Sequence, residues 1–252
     1  MATRERGGAG EPAGSRQPRL STVLVVGGDG ALGRAVAAWF VERGWAVVGT
    51  YRNEARRQQA AALLDARTGG LAGRRLRWLK ADLARAAGAG RAVAACLRWQ
   101  GRIDAAVQTA GLFGLEPVVG GSWSTWEAMM ENNVRTAFEL AQAAVPPMRE
   151  AGGGSLVLVA ARAAARAGRE MGAYAAAKSA LIRLGEALAE ELEGSGVRVN
   201  VVAPSVLDTP ANREAMPEAS RRGWRSPEEL AALIGWLALP EAAAVHGQLL
   251  LA

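Results

Sequence analysis

At 252 residues and 50% hydrophobic, the chain is long enough for one large α/β domain or two small ones. Its net charge of +6 is 30 basic against 24 acidic residues, with the arginines scattered and aromatics at only 5%, which argues against a nucleic-acid partner. Cys96 and His246 stand alone, which excludes an internal disulfide and a cysteine-based zinc site and argues against a mechanism built on a histidine base or a histidine metal cluster.

Gly, Pro, Arg and Glu dominate residues 1–20, which lack the apolar centre of a signal peptide and are read as a flexible tail. No run approaches the length of a membrane span, and a cytoplasmic location is expected. Val23-Leu-Val-Val opens the first strand, about 22–26, and runs into Gly27-Gly-Asp-Gly-Ala-Leu-Gly33. A helix follows over 34–43, stopped by Gly44, and then a second strand over 45–51. Residues 54–67 are helical until Gly69, Gly70 and Gly73 break the pattern, and 75–80 form a third strand leading to Asp82. A helix over 89–99 precedes a fourth strand, 103–109, which closes on Ala110-Gly111.

Residues 112–123 read as a Gly/Pro loop, and Ser124 as the cap of one long helix to about 149. A fifth strand spans 155–160, a helix 172–193 and a sixth strand 197–202. Ser226-Pro-Glu-Glu starts a capped helix, and 248–251 form a short last strand. Strands alternating with helices at this spacing predict an α/β, doubly wound parallel sheet. No repeat or linker interrupts it, so residues 21–252 are counted as one domain.

Two stretches carry chemistry. The glycine turn lets backbone approach a pyrophosphate, and the free N–H groups of the helix that follows favour an anion. Tyr174 and Lys178 stand at i and i+4, on one helix face. A phenol is a poor acid–base at neutral pH, and a nearby ammonium favours its phenolate. The chain holds only two Tyr and two Lys, which sharpens the pairing. The bland alternative is an amphipathic helix with a surface lysine.

Together, Gly27 to Gly33, Ala110-Gly111, Asn133, Tyr174-x-x-x-Lys178 and Pro204-x-x-x-x-Thr209-Pro210 resemble, in order and spacing, the short-chain dehydrogenase/reductase family. The resemblance covers about 21–251 and implies a Rossmann-type domain of about seven strands in the order 3-2-1-4-5-6-7. It implies Tyr174, Lys178 and Asn133 as catalytic residues, with Asn133 holding a relay water. Gly27, Gly30, Leu32, Gly33, Arg52, Asp82, Leu83, Ala110, Gly111, Pro204 and Thr209 become the cofactor-binding set, together with Tyr174 and Lys178. Asp82 would meet the adenine and Thr209 the nicotinamide amide; Asn132 is read as a helix-surface residue. No metal is implied. The two long helices resemble the family's dimer-forming pair, so a homodimer or homotetramer is expected.

Two positions depart from the family pattern. Thirteen residues before Tyr174, where a Ser usually contacts the substrate carbonyl, stands Ala161; the central turn glycine is Ala31. Both departures resemble the quinonoid dihydropteridine reductases, as does Leu207-Asp-Thr-Pro-x-Asn-Arg-x-x-Met-Pro-Glu-Ala219, expected as a lid up to Trp224. Arg162 is either a group that orients substrate or one more solvent-facing arginine. At the end of the second strand, Thr50-Tyr51-Arg52-Asn53 has no acid for the ribose hydroxyls, and an Arg suits a 2′-phosphate, so NADP(H) is expected over NAD(H). The expected activity is hydride transfer to a small conjugated substrate resembling a quinonoid dihydropteridine. A carbonyl or enone reductase and a non-catalytic dinucleotide sensor are the alternatives.

Overall fold

The computed structural model describes residues 20–252. The expected tail lies outside these residues, save Leu20, whose N–H donates to Gln100 Oε1 at 3.2 Å. Strands β1 (Thr22–Val26), β2 (Ala46–Tyr51), β3 (Leu76–Lys80), β4 (Ala105–Gln108), β5 (Gly154–Val159), β6 (Val197–Ala203) and β7 (Leu249–Leu251) form one sheet. Its order is β3-β2-β1-β4-β5-β6-β7, as the sequence predicts, and every pairing is parallel. The chain leaves β1 in one direction and returns to its other side at β4, so a crevice opens at the carboxyl ends of β1 and β4.

Both faces of β1 are buried, which explains its unbroken apolar run. Val23 and Val25 face helices α1 (Ala31–Glu42) and α9 (Pro227–Ala238), through Val36, Phe40, Leu230 and Ile234. Leu24 and Val26 face the other layer, α4 (Ala86–Gln100), α6 (Thr136–Glu150) and α7 (Gly172–Glu191), through Cys96, Leu140, Met148 and Leu181. Helix α2 (Glu54–Thr68) joins the first layer through Leu64. The Ser226–Glu229 capping box forms as its spacing predicts.

Several expectations are corrected. Helix α1 starts at Ala31 rather than 34, so the turn leads straight into it. A one-turn helix α3 (Ala72–Arg75) forms where glycines suggest only a break, because no residue there needs a forbidden backbone angle. The long helix expected from 124 is three pieces: α5 (Trp123–Met129), a π-turn over Met130–Arg135, and α6. Its cap is Ser122, whose Oγ accepts from Thr125 N at 3.2 Å, rather than Ser124. A short helix α8 (Pro210–Ala215), capped by Thr209, lies inside the expected lid segment. Ser205 Oγ donates to Gly223 O at 2.6 Å and Asp208 N to Arg225 O at 2.8 Å, pinning that segment's ends together. Among the described residues no helix is long and apolar enough to cross a membrane, and no three or more His, Cys, Asp or Glu could hold a metal.

The turn after β1 is the tightest point of the fold. At Gly33 a Cβ would run into the carbonyl oxygen of Gly27 and stand 2.9 Å from Gly28 Cα. Gly33→Val is therefore expected to cost about 1–3 kcal/mol of stability, measured by urea unfolding. An unchanged midpoint would contradict this packing.

Candidate active site

The crevice is a cleft of about 280 Å³ lined by the glycine turn, the tips of β2 and β3 and the loop after β4. Gly27, with φ +81°, lies so close to Ala110 that a Cβ would stand 2.9 Å from it. Its N–H donates to Thr50 Oγ1 at 3.1 Å, and Gly28 N donates to Thr50 O at 2.9 Å. Gly30, the N-cap of α1, supplies no side-chain cap, so the first N–H groups of the helix stay free for a ligand. Asp82 Oδ1 accepts from Ala84 N at 3.1 Å, which sets its carboxylate at the cleft wall. A glycine cradle beside uncapped helix N–H groups, with a carboxylate and arginines further out, fits a dinucleotide with its pyrophosphate at α1.

At the other end of the crevice Tyr174 and Lys178 sit one turn apart on α7, with Lys178 Nζ 5.9 Å from the Tyr174 ring centroid. Lys178 is buried, and its Nζ donates to Val159 O at the end of β5, 2.9 Å away. Burial pushes the lysine down to about 8 and the Tyr174 phenol up to about 12. The expected lowering of the phenol by the ammonium is not what the fold gives: desolvation raises it. The ring of Phe113 meets Tyr174 edge-on, with centroids 4.9 Å apart, as an apolar wall of the site.

Asn133 lies in the π-turn and is fully buried. Its Nδ2 donates to Leu112 O and Met129 O at 3.0 and 2.9 Å, and its Oδ1 accepts from Leu112 N at 3.3 Å. Its backbone carbonyl accepts from Gln108 Nε2 at 2.8 Å. Each polar group of the side chain thus has a protein partner, and what it visibly holds is the Gly111–Leu112 loop. Gly111 wedges between this amide and the lysine: a Cβ there would stand 2.6 Å from Asn133 Oδ1 and 3.2 Å from Lys178 Nζ.

Of the residues singled out from sequence, Gly27, Gly30, Arg52, Asp82, Leu83, Ala110 and Gly111 line the cleft together. Leu32 and Gly33 are buried behind it, the leucine side chain in the α1 layer, leaving their backbone to face a ligand. Pro204 is buried after β6 and accepts from Arg162 N at 2.9 Å. Thr209 lines a separate cavity beside Ala31 and Arg34, and its Oγ1 is already the acceptor for Asn212 N. Ala161 is extended at the end of β5, and the Arg162 side chain is exposed.

Asp29, Thr50, Arg56 and Asn132 are among the cleft residues left out of the sequence-derived set. Arg56 faces Asp29 at 3.6 Å, and Arg52 Nη1 donates to Asn132 Oδ1 at 2.7 Å. Asn132 is partly exposed on the helix surface, as expected, and there it lines the cleft and holds Arg52. A second asparagine beside Asn133 is the signal that could have found it.

Comparison with known proteins agrees with this geometry. Residues 21–220 match the family described as short chain dehydrogenase. The chain belongs to that family. It is 32% identical over 233 residues to a D-threitol dehydrogenase of Mycolicibacterium smegmatis, covering 89% of this chain and 88% of the relative. It is 33% identical over 159 residues to a 3-oxoacyl-[acyl-carrier-protein] reductase of Thermotoga maritima, covering 60% of this chain and 64% of that protein. Among solved structures, a short-chain type dehydrogenase/reductase from Mycobacterium ulcerans superposes with a TM-score of 0.85 at 28% identity, over 92% of this chain and 87% of the other. Acetoin dehydrogenase from Enterobacter cloacae gives 0.81 at 27% identity, over 94% and 95%. These relatives place the chain among the NAD(P)-dependent oxidoreductases.

The buried lysine makes a stability prediction whose sign is fixed. Its folded value of about 8 lies below the ordinary 10.5, so between those pH values the unfolded chain carries more protons on this amine. Stability relative to Lys178→Met is expected to rise as pH climbs through that window, read from urea midpoints. A constant difference would contradict the depressed lysine.

Proposed function

We propose that the chain is an NADPH-dependent reductase that adds hydride to a small conjugated acceptor, a quinonoid dihydropteridine being the acceptor its sequence most resembles. One observation carries the reading: the half-buried Tyr174 and the buried Lys178 stand one turn apart on α7, while the strand end preceding them presents Ala161 instead of a hydroxyl. A nicotinamide cofactor held by the glycine turn would supply the hydride. Tyr174, held protonated by burial, donates the proton to the acceptor's heteroatom. Lys178, anchored on Val159 O, keeps its other N–H bonds for the ribose and for reprotonating the tyrosine. Asn133 holds the Gly111–Leu112 loop against the lysine, and with it the entry for a relay water. With no hydroxyl at position 161, the acceptor must be electron-poor already. The preference for NADPH rests on Arg52, the residue that directly follows β2, where the sequence has an arginine and not an acid.

The second reading, a carbonyl or enone reductase, is favoured by the names of the two relatives and by an exposed apolar rim of Phe113, Leu115, Val118 and Trp123. A homodimer through α6 and α7 is proposed with either reading; Phe138 on α6 is 47% exposed and available to it.

The experiment mixes purified protein with NADPH and quinonoid dihydropterin, quinones or simple ketones and follows loss of the reduced cofactor. Tyr174→Phe is expected to lower turnover on the pterin by about 10²-fold or more while cofactor binding persists. Ala161→Ser is expected to raise activity on simple ketones relative to the pterin. Cofactor binding with no turnover on any acceptor would sink the reductase reading and favour a dinucleotide sensor.

A further inference from the structure

Three consecutive residues of the π-turn reach across the crevice to three different loops. Glu131 Oε1 takes Arg85 Nη1 at 2.8 Å in the loop after β3, Asn132 takes Arg52 at the tip of β2, and Asn133 holds Leu112 after β4. A π-turn inside an α-helix is uncommon and tends to fall at functional sites. Here it sets adjacent side chains toward both ends of the crevice.

The middle contact has a particular chemistry. Arg52 is exposed and, among the described residues, forms no ion pair, whereas the other cleft arginine, Arg56, faces the carboxylate of Asp29. Its partner Asn132 is neutral, so the contact orients the guanidinium without spending its charge. The acid that would have neutralised it, Glu131, is engaged by Arg85 and by Arg135 at 3.8 Å. The Asn132 amide is itself fixed, because Nδ2 donates to Ala128 O at 2.9 Å and aims Oδ1 outward. One of the five guanidinium N–H groups is used, and the rest stay free for an anion.

The geometry points to Asn132 as the positioning residue for dinucleotide choice: it holds Arg52 charged and oriented over the adenosine cleft to receive a 2′-phosphate. This rests on the NADPH reading of the same site. A carboxylate at 132 would capture the guanidinium and cancel its charge, and a methyl group would release it to solvent. Neither change touches the pyrophosphate cradle or the Tyr174–Lys178 pair.

The test is binding of 2′,5′-ADP and 5′-AMP, by calorimetry, to the full chain and its Asn132→Asp, Asn132→Ala, Arg52→Ala and Arg52→Ala/Asn132→Asp variants. Asn132→Asp is expected to weaken 2′,5′-ADP on the order of tenfold more than it weakens 5′-AMP, and Asn132→Ala less. Circular dichroism and urea midpoints report that each variant is folded. In the Arg52→Ala background the Asp substitution should have no further effect. Equal weakening of both nucleotides, an unchanged ratio, or an effect that persists without Arg52 would overturn the inference. If Arg52→Ala itself leaves the ratio unchanged, the NADPH reading falls, and this inference with it.

Discussion

Everything at the crevice hangs on backbone meeting backbone where β1 and β4 end. Val26 O accepts from Ala110 N at 2.9 Å and from Thr109 Oγ1 at 2.7 Å, so the two loops start from one shared acceptor. The next residue, Gly27, leaves in a left-handed conformation with no room for a side chain against Ala110. That approach brings the free N–H groups of α1 beside the loop that carries Gly111. From there Gly111 links the glycine-turn cleft to the Lys178 amine.

Desolvation shapes the chemistry of that surface. Placing Lys178 under β5 and against Gly111 removes it from water, and the Val159 carbonyl offers a dipole but no counter-charge. The lysine is then near the point of losing its proton at neutral pH, while the phenol one turn away keeps its own.

The π-turn is the second organising feature. A regular helix from Trp123 to Glu150 would carry Asn132 and Asn133 around the cylinder with no common target. By widening at Met130–Arg135 the chain lets one side chain clasp the β2 tip and the next clamp the loop after β4. Both clasps lie on the α6 and α7 side of the crevice, opposite the glycine turn.

Periodicity and glycine placement in the sequence determined the alternating α/β pattern, the turn at Gly27–Gly33 and the Tyr174–Lys178 pair, because each is a local pattern: buried strands read as apolar runs, and i, i+4 residues share a face; the strand order followed from the family resemblance. The family was legible for the same reason, through short motifs at fixed spacing. The π-turn, the true cap at Ser122, the α8 turn and the roles of Asp29, Arg56 and Asn132 were not. Helix widening carries no composition signal, and a partner 80 positions away, as Arg52 is for Asn132, is chosen by how strands stack rather than by neighbours in the chain. The shifted lysine and phenol belong to the tertiary structure too. Tyr and Lys at that spacing on an exposed helix would titrate normally, and only burial beneath β5 separates their behaviour from that of ordinary side chains.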